Sequence, residues 1–217
     1  MKINLFDALT RAFGETAVMV AISLGFAIVL GGILGLVLFA TSNPLFIRNR
    51  AVNEAVGIII NVTRSIPFLI LLVLLIPLSK LVVQTTIGPA AVVVPLSVAS
   101  IAFFARLAEI SFSEVNKGVL EAAVASGAKK LYIIVHILIP EALPQLIKNI
   151  TVTAVSLIGY SAMAGTVGGG GVGDLAIRYG YQRYQTDVML ICVAFLIVLV
   201  QILQFLGDFA AKKLNRK

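Results

Sequence analysis

Residues 121–140 read EAAVASGAKKLYIIVHILIP: a carboxylate, a run of small residues, a glycine, a lysine pair and a closing proline. The blocks before and after it are apolar enough to sit in a membrane. Residues 119–126 are good helix formers, and Gly127 stands where a helix commonly ends in a left-handed residue. Glu121 is expected in the first turn of that helix, where a carboxylate suits the helix dipole. Ala122, Ala123 and Ala125 give the helix a thin surface that a partner can approach closely. Lys129 and Lys130 open a second segment, 131–139, which Pro140 is expected to end. That apolar run is too short to cross a bilayer. The spacing therefore predicts two short helices at an angle, held at the membrane surface. Two readings of them stay open on the residues alone: a face offered to a partner, or a helix-turn-helix that only covers the bundle.

The flanking composition sets the class. Of 217 residues, 59% are hydrophobic and 12% charged, with mean hydropathy +1.05. A soluble domain carries about 25% charged residues. The excess apolar residues fall in long blocks, which points to an all-α polytopic membrane protein. The net charge of +7 is explained by the concentration of Lys and Arg in cytoplasmic loops, rather than by nucleic acid. No basic run occurs outside the C-terminal tail, and the aromatics lie in apolar blocks. Cys192 is the one cysteine and His136 the one histidine, so neither an internal disulfide nor a metal cluster is available.

Five spans are expected, at 16–40, 56–79, 89–108, 149–167 and 188–207, forming a single transmembrane domain over 1–217. The first block is 25 residues long, against about 7–15 for a signal-peptide core, so a retained span is expected. Five spans divide the Lys and Arg residues twelve to five between the two sides. The richer side is cytoplasmic by the positive-inside rule. The N-terminus is then periplasmic, the C-terminus cytoplasmic, and the 109–148 loop faces the cytoplasm. Residues 1–15 place Leu5, Phe6, Leu9, Ala12 and Phe13 at helical spacing, which predicts a short helix on the outer membrane surface.

Gly31 and Gly35 form a G-x-x-x-G pattern, which Ala21 and Gly25 extend, and small residues let membrane helices approach closely. Pro67, Pro77 and Pro95 lie in or near spans and are expected to bend them. No acid, base or histidine sits deep in a span, as ion-coupled transport would require. No nucleophile–base pair is visible either, so no catalytic site is expected. TVGGGGVGD, residues 166–174, has the glycine spacing of a phosphate loop, but Asp174 stands where that loop needs Lys. Gly168, Gly169, Gly170, Gly171 and Gly173 are read either as a flexible surface turn or as a mobile loop over an external opening, where a partner could dock.

The opening stretch also resembles the EAA loop of ABC importer permeases. Glu121-Ala122-Ala123 is followed after three residues by Gly127, and after nine more by Ile137-Leu138-Ile139-Pro140. Ile139 stands where Leu is usual, and Lys129-Lys130 where a Thr-Pro-like pair is common. Residues 61–68 (NVTRSIPF), 140–144 (PEALP), 159–163 (GYSAM) and the 168–173 glycines resemble the methionine-type permeases of the binding-protein-dependent transport family. The resemblance covers nearly the whole chain. It implies a type I ABC importer permease of the bacterial inner membrane, working as a homodimer. It also implies two cytoplasmic ATPase subunits that bind ATP and Mg, and an external binding protein, soluble or lipid-anchored. No cofactor is expected on this chain. Glu121, Ala122, Ala123, Gly127 and Pro140 would couple to the ATPase. Tyr160, Ser161 and Met163 would line the pathway or its gate, and Arg64, Ser65 and Pro67 would form the span-two motif. Import of another small amino acid, and ion-coupled secondary transport, are the alternatives.

Overall fold

The protein is described from a computed structural model that covers residues 5–214. The chain starts with α1 (Leu5–Phe26), runs through a π-helical segment, Ala27–Gly31, and continues as α2 (Gly32–Ser42). Then come α3 (Arg50–Ser65), α4 (Phe68–Leu74), α5 (Ile76–Val83) and α6 (Pro89–Ser113). Next are α7 (Lys117–Ala125), α8 (Lys130–Ile133), a π-helical segment at Ile134–Leu138, and α9 (Ile139–Ala164). A 3₁₀ turn at Gly165–Val167 leads to α10 (Gly171–Leu175), a π-helical segment at Ala176–Tyr181, and α11 (Thr186–Leu214). Among the described residues, four helices are long and apolar enough to cross a membrane: Phe6–Ser42, Pro89–Ser113, Lys130–Val167 and Thr186–Leu214. The pair α3–α4, taken as one broken span, makes five.

The elements differ from the sequence reading at three places, each for a local reason. The expected surface helix at 1–15 is not separate: from residue 5 onward it is the start of the first span. Arg11 and Glu15 pair at 3.0 Å one turn apart, so the helix carries these charges without breaking. Lys2, Arg216 and Lys217, used in the charge count, lie outside the described residues. The second span is not straight: α3 and α4 meet at 104°. Pro67 lacks an N–H and pushes Ile66 to extended backbone, φ −83° and ψ 124°, so α3 must stop. Pro140, by contrast, ends nothing. In a regular helix its ring would meet the carbonyl four residues back, that of His136. The π-helical turn at Ile134–Leu138 shifts that register, and the helix runs on.

Helix α6 is the axis of the bundle, packed by α1, α2, α3, α5 and α9. Gly31 and Gly35 seat the first rod on it: a Cβ on Gly31 would stand 2.8 Å from the Ile101 carbonyl, and one on Gly35 2.6 Å from that of Ala105. Ala21 and Gly25 do not extend this seam, since both are exposed and Gly25 has no atom near its missing Cβ. Hydroxyls and an amide add directed contacts. Ser100 Oγ donates to the Ser23 carbonyl (3.2 Å), tying α6 to α1. Asn149 Nδ2 donates to the Leu107 carbonyl (3.1 Å) and Ser111 Oγ (2.8 Å), tying α9 to α6. Outward faces stay apolar, as on α11, of which only Val188, Cys192 and Ala211 are buried.

Candidate functional site

At one end of the bundle α7 and α8 form an elbow. Asn116 caps α7, its side chain accepting from the Gly118 N–H at 2.8 Å. The helix starts two residues earlier than expected, so Glu121 lies beyond its first turn, where the dipole no longer favours it. The far end closes as a Schellman motif: the Ala128 N–H donates to the Ala123 carbonyl (3.2 Å), and the Gly127 N–H to that of Val124 (3.0 Å). The motif needs a left-handed residue, and Gly127 supplies it with φ +78°. Lys129 then runs extended, and α8 leaves in a new direction.

The elbow is anchored from below. Leu120 and Ala123 point down onto Phe46, Phe112, Ile133 and Leu138, all buried in one cluster. Lys130 Nζ donates to the Phe46 carbonyl at 2.5 Å, fastening α8 to the loop between α2 and α3. The remaining surface of α7 is open: Gly118, Glu121, Ala122 and Ala125 are exposed, as are Leu131, Tyr132 and Val135 beside them. Of the EAA residues, two therefore face outward and Ala123 faces the core. The result is a rigid, thin-walled ridge with one carboxylate and an apolar flank. Pro140 lies further on, in α9, and takes no part in the ridge.

The span-two residues meet the pathway candidates only partly. The break between α3 and α4 opens a cleft of about 210 Å³, with Thr63, Arg64, Ile66, Phe68, Phe103 and Tyr160 in its wall. Phe68 and Tyr160 stack, centroids 4.7 Å apart and planes 15° from parallel. Ser161 points away: it is buried, and its Oγ donates to the Ile158 carbonyl at 2.8 Å. Met163, one turn after Tyr160, is exposed and is not in the cleft wall, and Ser65 Oγ donates back to the Asn61 carbonyl at 2.8 Å. Sequence reasoning missed Phe68 and Phe103. Phe68 sits within the quoted 61–68 motif, whereas Phe103 comes from α6 and has no local signal.

The glycine-rich segment is not a loose surface turn. Gly169, Gly171 and Gly173 are buried, with Gly168 and Gly170 partly so. The Gly171 N–H donates to Glu15 Oε2 (2.8 Å), and the Val172 N–H to Thr16 Oγ1 (3.0 Å), so α1 caps α10 from across the bundle. Asp174, buried, pairs with Arg178 one turn on. Among the described residues, no group of His, Cys, Asp and Glu could hold a metal ion.

Four long apolar helices, or five spans with the broken pair α3–α4 counted as one, and an exposed elbow ahead of α9 make an all-α polytopic membrane protein with the fold of type I importer permeases. The chain belongs to the family of binding-protein-dependent transport system inner membrane components, matched over residues 27–217. It is a multi-pass protein of the bacterial inner membrane. It is 46% identical over 211 residues to the probable D-methionine transport system permease protein MetI of Vibrio cholerae, covering 97% of this chain and 94% of that one. It is 46% identical over 180 residues to the methionine import system permease protein MetP of Bacillus subtilis, covering 83% and 81%. An inward-facing structure of the MetNI methionine ABC transporter superposes with a TM-score of 0.96 at 39% identity, over 100% of both chains. An amino acid ABC transporter crystallised with histidines shares the fold, at TM-score 0.78 and 17% identity.

Proposed function

We propose that this chain is the membrane permease subunit of an ATP-driven ABC importer that moves methionine, D- or L-, or a close amino-acid relative, across the inner membrane by alternating access. The observation that carries the reading is the elbow: a ridge closed by Gly127 and presenting Glu121, Ala122 and Ala125 outward, in a chain 97% aligned with a methionine permease. Two copies of the chain form the pathway, and each ridge seats in a groove on a cytoplasmic ATPase subunit. The ATPase subunits bind ATP and Mg and carry out hydrolysis, so this chain holds no cofactor and no catalytic site. An external binding protein delivers the substrate, and the glycine-rich segment, Gly168 to Gly173, lies at the end of the bundle it meets.

When ATP draws the ATPase subunits together, the seated ridges move with them and the spans rock between inward- and outward-facing. Moving such an equilibrium from 1:99 to 99:1 takes about 5.5 kcal/mol of differential binding, so the joint must be stiff. The anchoring of Leu120 and Ala123 in the core, and of Lys130 on Phe46, meets that need. The test is uptake of labelled methionine into right-side-out vesicles carrying the permease, its ATPase and its binding protein. Inward transport that requires ATP on the cytoplasmic side is expected. Uptake that proceeds without ATP and follows an ion gradient overturns the reading.

A further inference from the structure

The loop under the elbow is stiffer than a connection needs to be. In residues 43–49, between α2 and α3, the Phe46 N–H donates to the Asn43 carbonyl (3.2 Å), the Ile47 N–H to that of Ala40 (3.2 Å) and the Asn49 N–H to that of Thr41 (3.1 Å). Asn43 Oδ1 accepts from the Leu45 N–H (3.0 Å), and Asn49 caps α3 by accepting from the Val52 N–H (3.2 Å). Asn53 Nδ2, in the first turn of α3, donates back to the Leu38 carbonyl (2.8 Å) and to Thr41 Oγ1 (3.0 Å). The end of α2, the loop and the start of α3 are thereby one unit.

Phe46 is where that unit meets the elbow. Its side chain is buried in one cluster with Leu120 and Ala123 of α7 and Ile133 of α8. Its carbonyl accepts from Lys130 Nζ (2.5 Å), although Lys130 is otherwise exposed and its amine could have stayed in water. On the far side the Phe46 ring lies 5.6 Å from that of Phe39 on α2, and Phe39 lies 6.0 Å from Phe112 near the end of α6. A run of packed rings thus leads from the elbow to the first span and to the axis of the bundle. Close-packed side chains pass a displacement on rather than absorb it. The elbow's covalent link to α9 runs instead through the π-helical turn at Ile134–Leu138.

We infer that Phe46 and Lys130 are positioning residues of the coupling joint, which carry the elbow's displacement into α2 and the first span, so that α9 does not move alone. The inference deepens the proposed function and rests on it. The ridge's own shape is set by Asn116 and Gly127. Losing the contacts to Phe46 therefore leaves a ridge that seats on the ATPase but no longer pulls on the first span.

The test is the amount of labelled methionine imported per ATP hydrolysed by the intact permease–ATPase complex in proteoliposomes, with ATP enclosed and the binding protein outside. The ATPase subunit that co-purifies with each variant is measured alongside. Lys130→Met keeps the stem and removes the donor; the ratio is expected to fall about fivefold, the scale of one lost hydrogen bond, with the ATPase subunit retained. Lys130→Arg keeps a charged donor and is expected to stay within about twofold of wild type. Phe46→Ala removes the ring and is expected to lower the ratio further than Lys130→Met; where it fails to assemble, the two Lys130 variants decide. A ratio unchanged in Lys130→Met, an equal fall in Lys130→Arg, or a fall matched by loss of the ATPase subunit overturns the inference and leaves both residues as supports of the elbow. The wild-type complex separates the two claims. ATP-dependent import by wild type, with the ratio unchanged in Lys130→Met, overturns the inference alone. No ATP-dependent import of methionine by wild type overturns the functional reading and the inference with it.

Discussion

Two glycine-led turns interrupt the helices, and they use glycine for opposite reasons. At Gly127 the backbone needs φ +78°, yet nothing lies within 4 Å of the place a Cβ would take. At Gly165 and Gly173 that place is already filled, by the backbone of Asp174 for one and of Ala162 for the other. The elbow is thus open outside and set by conformation, while the glycine-rich segment is closed and set by contact. The difference fits two tasks: an exposed element that the proposed function seats on a partner, and an element that locks α9, α10 and α1 together. The same residue type in the same chain carries two physical arguments, and substitutions separate them.

The largest effect is expected at the closed turn. Gly173→Ala puts a methyl into backbone that cannot rotate away, and the overpacking destabilises by about 3 kcal/mol. Thermal scanning of the detergent-solubilised protein by size exclusion is expected to show a clear loss of the folded peak; an unchanged midpoint breaks the contact side of the comparison. Gly127→Ala meets no clash and carries only the left-handed penalty, about 1–2 kcal/mol. The same scan is expected to rank it below Gly173→Ala, and the reverse order contradicts the distinction. Asn116→Ala removes the cap of α7, which costs about 1 kcal/mol. Faster amide exchange confined to 117–125 is expected there, and slower or unaltered exchange would show that the ridge does not depend on its cap. The smallest effect belongs to Gly25→Ala, on an exposed helix face with no neighbour, where stability stays within about 0.5 kcal/mol of wild type.

The same contrast says what the sequence carried. The elbow was legible because its determinants are local: a small-residue helix, a glycine at the right offset, a lysine pair. The number of spans and the seam at Gly31 and Gly35 were legible from charge-free blocks and i, i+4 spacing. The ends of the spans are not, because charges in a sequence look like boundaries. Arg11 and Glu15 satisfy each other inside the helix, and Glu15 also caps α10. In the sequence Pro140 looks like a stop, since nothing local announces a π-turn able to absorb it. The packing of the glycine segment stayed hidden for a further reason. Glycine spacing records that something comes close, and says nothing of what. Likewise the cleft joins Arg64 to Phe103 and Tyr160, residues far apart in the chain that the tertiary fold alone brings together.

The proposed function turns on the elbow as the joint to the ATPase, and a mild-detergent pull-down of the tagged chain from its own cells tests that directly. Gly127→Asp burdens a residue with a left-handed backbone and a charge at the ridge, without touching the packed spans. An ATPase subunit is expected to accompany the wild-type chain and to be lost from Gly127→Asp, while the variant still inserts in the membrane. An ATPase subunit held equally by both, or a wild-type chain that emerges alone from several gentle detergents, contradicts it.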